Sequence, residues 1–148
     1  MKRALRIGID IGGVISRYPD QMKELIRVLD RGGAYVYIVT DMNPQDAALA
    51  CCENGLDGSL SGVEYVVSAD WSKHGDLCKT IEAEEWGLDI MIDDRPDYVA
   101  EGDFIGLCLS PRPNVPYYHP SWVNKSTPTV CVPPEEYEAF KRWREQQS

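Results

Sequence analysis

Ile7-Gly8-Ile9-Asp10-Ile11-Gly12-Gly13-Val14-Ile15 is the stretch on which the fold turns. From Ala4 to Ile11, the apolar residues Leu5, Ile7, Ile9 and Ile11 alternate with small or polar ones before the run meets Gly12-Gly13. That period is the signature of a buried strand, and the glycines end it. A lone acid, Asp10, stands where the strand stops.

Outward from this strand, helical and extended patterns take turns. Pro19-Asp20 opens a helix, and Met22, Leu25, Ile26 and Leu29 fall at the i, i+3, i+4, i+7 spacing of one apolar face before Gly32-Gly33 stops it. Ala34 to Thr40 is short, β-branched and aromatic, and reads as a second strand. Asn43-Pro44 opens a helix through Cys52, closed near Gly55. After a Gly/Ser-rich turn from Leu56 to Gly62, Val63 to Ser68 forms a third strand. Ser72 is read as the cap of one continuous helix from Lys73 to Trp86, with Leu77 and Ile81 facing inward. Asp89 to Ile92 is a fourth strand stopping at Asp93-Asp94, and Phe104 to Leu109 a fifth. Residues 111–134 carry most of the prolines and are expected to form a loop. A last helix is expected over 135–145.

Strands alternating with helices predict a three-layer, Rossmann-like α/β domain around a five-stranded parallel sheet. The 148 residues suit one domain, with its core over residues 4–110. In such sheets ligands bind beyond the carboxyl ends of the strands, where strand order reverses. Asp10, Thr40 and Asp93-Asp94 all fall at such ends, so one crevice is expected to gather them.

The formal net charge is −9, which disfavours general nucleic-acid binding. Five cysteines form no regular framework, and Cys51 and Cys52 are adjacent, so a reducing, cytoplasmic setting is expected. The start lacks the small-residue cleavage site of a signal peptide, and no run approaches the length needed to span a bilayer. A homo-oligomer is compatible with the sequence.

A carboxylate nucleophile can approach a phosphate only if their mutual charge is neutralised. Magnesium, which prefers oxygen ligands, is suited to Asp10 and Asp94 supported by Asp93. Lys73 is expected to add positive charge, and Thr40 a hydroxyl donor. Arg95 is read as a partner in a surface ion pair.

With these residues in hand, the chain resembles the haloacid dehalogenase superfamily from Arg6 to Leu109. Ile9-Asp10-Ile11-Gly12-Gly13-Val14 is similar to its strand-borne Asp-x-Asp-Gly-(Thr/Val) signature, whose first Asp attacks phosphorus. Tyr37-Ile38-Val39-Thr40-Asp41 is similar to the strand whose terminal Thr or Ser binds the phosphoryl group. A lysine at a helix start completes the set, with Lys73 preferred over Lys79 because Lys79 is expected inside the helix. Ile90-Met91-Ile92-Asp93-Asp94-Arg95-Pro96-Asp97 resembles the metal-binding strand, and its wording is similar to the small 5'-deoxyribonucleotidases of that superfamily.

The resemblance implies a capless, magnesium-dependent phosphomonoester hydrolase working through an aspartyl-phosphate, with a phosphorylated substrate, nucleotides being the preferred class. The implied metal set is Asp10, the Gly12 carbonyl, Asp94 and Asp93. Gly13, Thr40, Asp41 and Lys73 would contact substrate, and Asp10, Thr40 and Lys73 would carry the chemistry. One departure matters: the family's general acid, two residues after the nucleophile, is here Gly12. Losing such help forfeits about 10²- to 10⁴-fold in rate. Asp41 and Ser16 are candidate substitutes, and a metal- or phosphate-binding module without turnover is the alternative.

Overall fold

A computed structural model describes residues 2–56 and 61–109, together with positions 142 and 146. The expected proline-rich loop and terminal helix lie outside the described residues, apart from position 142 within the expected helix.

Five strands, β1 (Arg6–Ile9), β2 (Tyr35–Thr40), β3 (Val63–Ser68), β4 (Ile90–Asp93) and β5 (Ile105–Cys108), form one sheet in the order β3-β2-β1-β4-β5. Every pairing is parallel. The helices α1 (Pro19–Arg31), α2 (Pro44–Glu53), α3 (Trp71–His74), α4 (Cys78–Glu85) and α5 (Pro96–Val99) connect them. This is the Rossmann-like α/β architecture the alternating pattern predicts. Only the segment Ile11–Ile15 and α1 separate β1 from β2, which leaves no room for a cap domain there.

The period of two in the strands sorts their side chains onto two faces. Ile7, Ile9, Val36 and Ile38 are buried together with Ile26 of α1 and Cys51 of α2. Tyr37, Val39, Val67 and Met91 point the other way, against Ala83 of α4 and Val99 of α5. Full burial of each such aliphatic chain stabilises the fold by roughly 1.5–3 kcal/mol, so the two clusters hold a helix layer on each face. On the second face β1 must pass close to Met91, because a Cβ at Gly8 would lie 2.4 Å from the Met91 sulfur.

The single helix expected from Lys73 to Trp86 is a correction. Asp70, rather than Ser72, caps α3 by accepting a hydrogen bond from the Lys73 amide at 3.2 Å. Gly75 then turns to φ 59, a 3₁₀ turn follows over Gly75–Leu77, and a new helix begins at Cys78. A left-handed φ breaks the α-helical ladder, and glycine is the residue that adopts it at least cost. As a result Leu77, expected to face inward, is 48% exposed, while Cys78, Lys79, Thr80 and Ala83 are buried.

The order of strands reverses at β1. From there the chain moves one way to β2 and β3, and later returns to the other side of β1 as β4 and then β5. The crevice beyond the carboxyl ends of β1 and β4 is therefore the switch point at which α/β sheets bind ligands.

Candidate functional site

At that switch point the sheet ladder itself positions the acids. The Asp10 amide donates to the Ile92 carbonyl at 2.9 Å, and the Leu109 amide to the Asp93 carbonyl at 2.8 Å, so both acids extend directly from paired backbone. Asp10, Asp93 and Asp94 are 5%, 0% and 2% exposed. Each offers a carboxylate oxygen, and those oxygens lie within 4.8 Å of one another.

Lys79 enters this cluster from the first turn of α4. Its ammonium donates to Asp10 Oδ1 at 2.7 Å and to Asp93 Oδ2 at 2.6 Å, and it is 1% exposed. The preference for Lys73 is thereby corrected, since Lys73 sits exposed on α3. The break at Gly75 is the physical reason: it makes Lys79 a helix-start residue aimed at the strand ends instead of a mid-helix one.

The roles within the acid cluster differ. Asp93 spends one oxygen on Lys79, while the other accepts from the Arg95 amide at 2.9 Å. Both oxygens of Asp94 are buried with no hydrogen-bond partner. Desolvating a carboxylate with nothing to pair it is costly, so such an orphan needs a cation or a proton. Gly13 leaves room for it: φ there is 73°, and a Cβ would stand 2.0 Å from Asp94 Oδ2. Any larger residue at position 13 would collide with this carboxylate.

The electrostatics follow from the count. Three ionised carboxylates against one ammonium leave the cluster at −2, the charge a divalent cation neutralises. Without one, burial and then the neighbouring Asp93 push the Asp10 carboxyl well above its usual range. Burial, with Asp93 again second, raises Asp94 from 3.8 to about 7. Burial works against the charged form of Lys79, yet Asp10 and Asp93 outweigh it and hold the ammonium firmly protonated. The donor set is all oxygen, buried and charge-deficient, which fits a hard divalent ion such as magnesium.

A pH dependence follows. An acid whose pKa is higher folded than unfolded binds more protons in the native state, so stability is greatest below the unfolded pKa and falls as pH rises through the folded one. The metal-free protein is expected to lose stability between pH 4 and 7, at up to roughly 1.4 kcal/mol per pH unit for each such carboxyl. Urea unfolding across that range should show the loss, and millimolar magnesium should flatten it. A metal-free profile that is level from pH 4 to 7 would contradict the charge-deficient cluster.

The remaining expected residues fall around this centre. Thr40 ends β2 and is 1% exposed, and its Oγ1 accepts from the Met42 amide at 3.2 Å. Gly12 is extended, with φ −67° and ψ 126°, and nothing lies within 4 Å of where its Cβ would be. The Ser16 hydroxyl accepts from the Gly13 amide at 3.1 Å, so it braces the loop after Asp10.

Arg95 is a third correction. Expected in a surface ion pair, it is only 3% exposed. Its Nη2 pairs with Asp97 at 2.6 Å, its Nη1 donates to the Tyr98 hydroxyl at 2.9 Å, and its guanidinium lies 3.8 Å from the Tyr98 ring centre. The Tyr98 hydroxyl in turn donates to Asp41 Oδ2 at 2.8 Å. Tyr98 also packs its ring 4.7 Å from the Lys79 ammonium. One buried tyrosine thus ties the end of β2 to α4 and α5, a role absent from the sequence reading. Pro96 at the first position of α5 was the available signal for that helix.

No family model matches the chain, and neither does any curated protein. Among the described residues, no helix is long and apolar enough to cross a membrane.

Proposed function

We propose that the chain is a magnesium-dependent phosphomonoester hydrolase in which Asp10 is the nucleophile. The observation that carries this reading is the orphaned Asp94 carboxylate beside Asp10 at the switch point of the sheet. Asp10 and Asp94, with the Gly12 carbonyl, would hold the ion, and Asp93 would act mainly by anchoring Lys79. Magnesium bound there supplies Lewis-acid polarisation of the phosphoryl oxygens and cancels the cluster's excess charge.

The chain's own groups account for the rest. Lys79 orients Asp10 and favours its ionised form through a hydrogen bond of 2.7 Å, opposing the burial that raises it. A carboxylate oxygen of Asp10 forms a bond to phosphorus as the ester oxygen departs with the bonding pair, giving an acyl phosphate on Asp10. Water then attacks that phosphorus, releasing phosphate and regenerating the carboxylate. Thr40 and Lys79 would steady the phosphoryl oxygens, with Lys79 taking the role for which the sequence preferred Lys73. The resemblance of Asp93-Asp94-Arg95-Pro96-Asp97 to 5'-deoxyribonucleotidases puts nucleotides first among the esters to be tried.

Gly12 favours a second reading, a module that binds metal and phosphate without turnover, because position 12 offers no side chain to protonate the leaving oxygen. Phosphate release from a panel of monoesters separates the two. The hydrolase is expected to work with magnesium and to stop when the ion is chelated. Magnesium-dependent phosphate binding without any release would leave only the module.

A further inference from the structure

A groove of about 570 Å³ opens at the carboxyl ends of β2 and β3, lined by residues 41–44 and 68–72, among them Asp41, Asp70 and Trp71. We infer that this groove takes the alcohol half of a phosphomonoester and selects alcohols that carry an amine or only hydroxyls over those that carry a further anionic group. The inference rests on the hydrolase or phosphate-binding reading of the neighbouring acid cluster, and it goes further by naming what the phosphate is attached to.

Position comes first. The groove begins at Asp41, the residue after Thr40, so it adjoins the phosphoryl donors proposed above. Neighbouring strands lie about 4.8 Å apart, which puts a point between β2 and β3 roughly 7 Å from β1, the span of a phosphate and two or three further bonds. A group esterified to a phosphate at Asp10 can therefore reach it.

The lining then decides the class. Among the described residues it contains two carboxylates, Asp41 and Asp70, and no lysine or arginine. Hydrogen bonds from Ser72 and the Lys73 amide hold the Asp70 carboxyl below its usual range, so this charge is fixed. The Asp41 carboxylate is aimed by the buried Tyr98 hydroxyl. Arg95 behind it does not reverse the sign, since it is shared among Asp41 at 3.8 Å, Asp76 at 3.9 Å and Asp97 at 2.6 Å. A second phosphate or a carboxylate in the ligand would meet like charge, whereas an ammonium and hydroxyls would meet acceptors. Trp71, 50% exposed at the rim, offers an aromatic face to the carbon skeleton and a favourable quadrupole to a cation.

Glucosamine 6-phosphate, glucose 6-phosphate and 6-phosphogluconate vary the charge of the alcohol half at nearly constant size. Calorimetric titration of the full chain in magnesium should rank them in that order, with about tenfold between successive members. Asp41→Asn should compress the ranking, and Trp71→Ala should weaken all three esters while leaving inorganic phosphate affinity as it was. Equal affinity for the three, or tighter binding of 6-phosphogluconate than of the amino sugar, overturns the groove assignment while the acid cluster stands. Failure of inorganic phosphate itself to bind with magnesium would instead remove the reading on which the groove depends. Since binding is measured, the result holds whether or not Gly12 permits turnover.

Discussion

Asp10→Asn is expected to reduce magnesium-dependent phosphate release by about 10⁴-fold or more, the scale on which enzymes lose activity when a covalent nucleophile is removed. The amide is nearly the same size as the carboxylate, and its carbonyl oxygen can still accept from Lys79. It cannot attack phosphorus. The structure also suggests why the variant should fold. Asp93 alone keeps Lys79 paired at 2.6 Å, and the substitution removes a carboxyl that burial, and then repulsion from Asp93 and Asp94, pushes upward. The metal-free variant should therefore be at least as resistant to urea at pH 7 as the parent. Magnesium affinity should fall, because one charged ligand is gone. Unchanged turnover in a folded Asp10→Asn protein would eliminate Asp10 as nucleophile, and with it the hydrolase mechanism.

The expectations that succeeded and those that failed differ in physical kind. Strand ends were legible because alternation over four to six residues is a local signal, and the fold places each at the edge of a layer. Asp10, Thr40 and Asp93-Asp94 came together for that reason alone. Lys79 was misplaced because one glycine decided it. Apolar residues on both sides of Gly75 keep a helical spacing, and nothing nearby in sequence announces a left-handed φ there. Leu77 was misassigned by the same break.

Arg95, Tyr98 and Asp41 were beyond reach for another reason. The hydrogen bond from Tyr98 to Asp41 joins residues 57 apart, and α5, which sets its geometry, is four residues long, too short for any periodicity to appear. Burial of an arginine depends on carboxylates supplied by three different connections. Such networks are products of packing, and sequence spacing carries no trace of them.

Gly12→Asp is the substitution expected to raise activity. Position 12 lies two residues beyond the nucleophile, where the resemblance to haloacid dehalogenases calls for the acid that protonates the departing oxygen. Its φ of −67° and ψ of 126° are ordinary for any L-residue, and the absence of atoms within 4 Å of an added Cβ means no clash. Gly13 is the opposite case, since there φ is positive and Asp94 occupies the space. The new side chain should therefore enter without backbone strain. Its one cost is a further negative charge near the cluster, which magnesium offsets. For alkyl phosphates, whose leaving oxygen needs a proton, the gain should be about 10²- to 10⁴-fold in kcat. For p-nitrophenyl phosphate, whose leaving group departs as a stable anion, the gain should be far smaller. The difference between the two esters separates acid catalysis from a general improvement in folding or metal binding. A variant that folds, binds magnesium and gains nothing on either ester would mean that the pocket lacks more than its acid, and the binding module would then be the correct description.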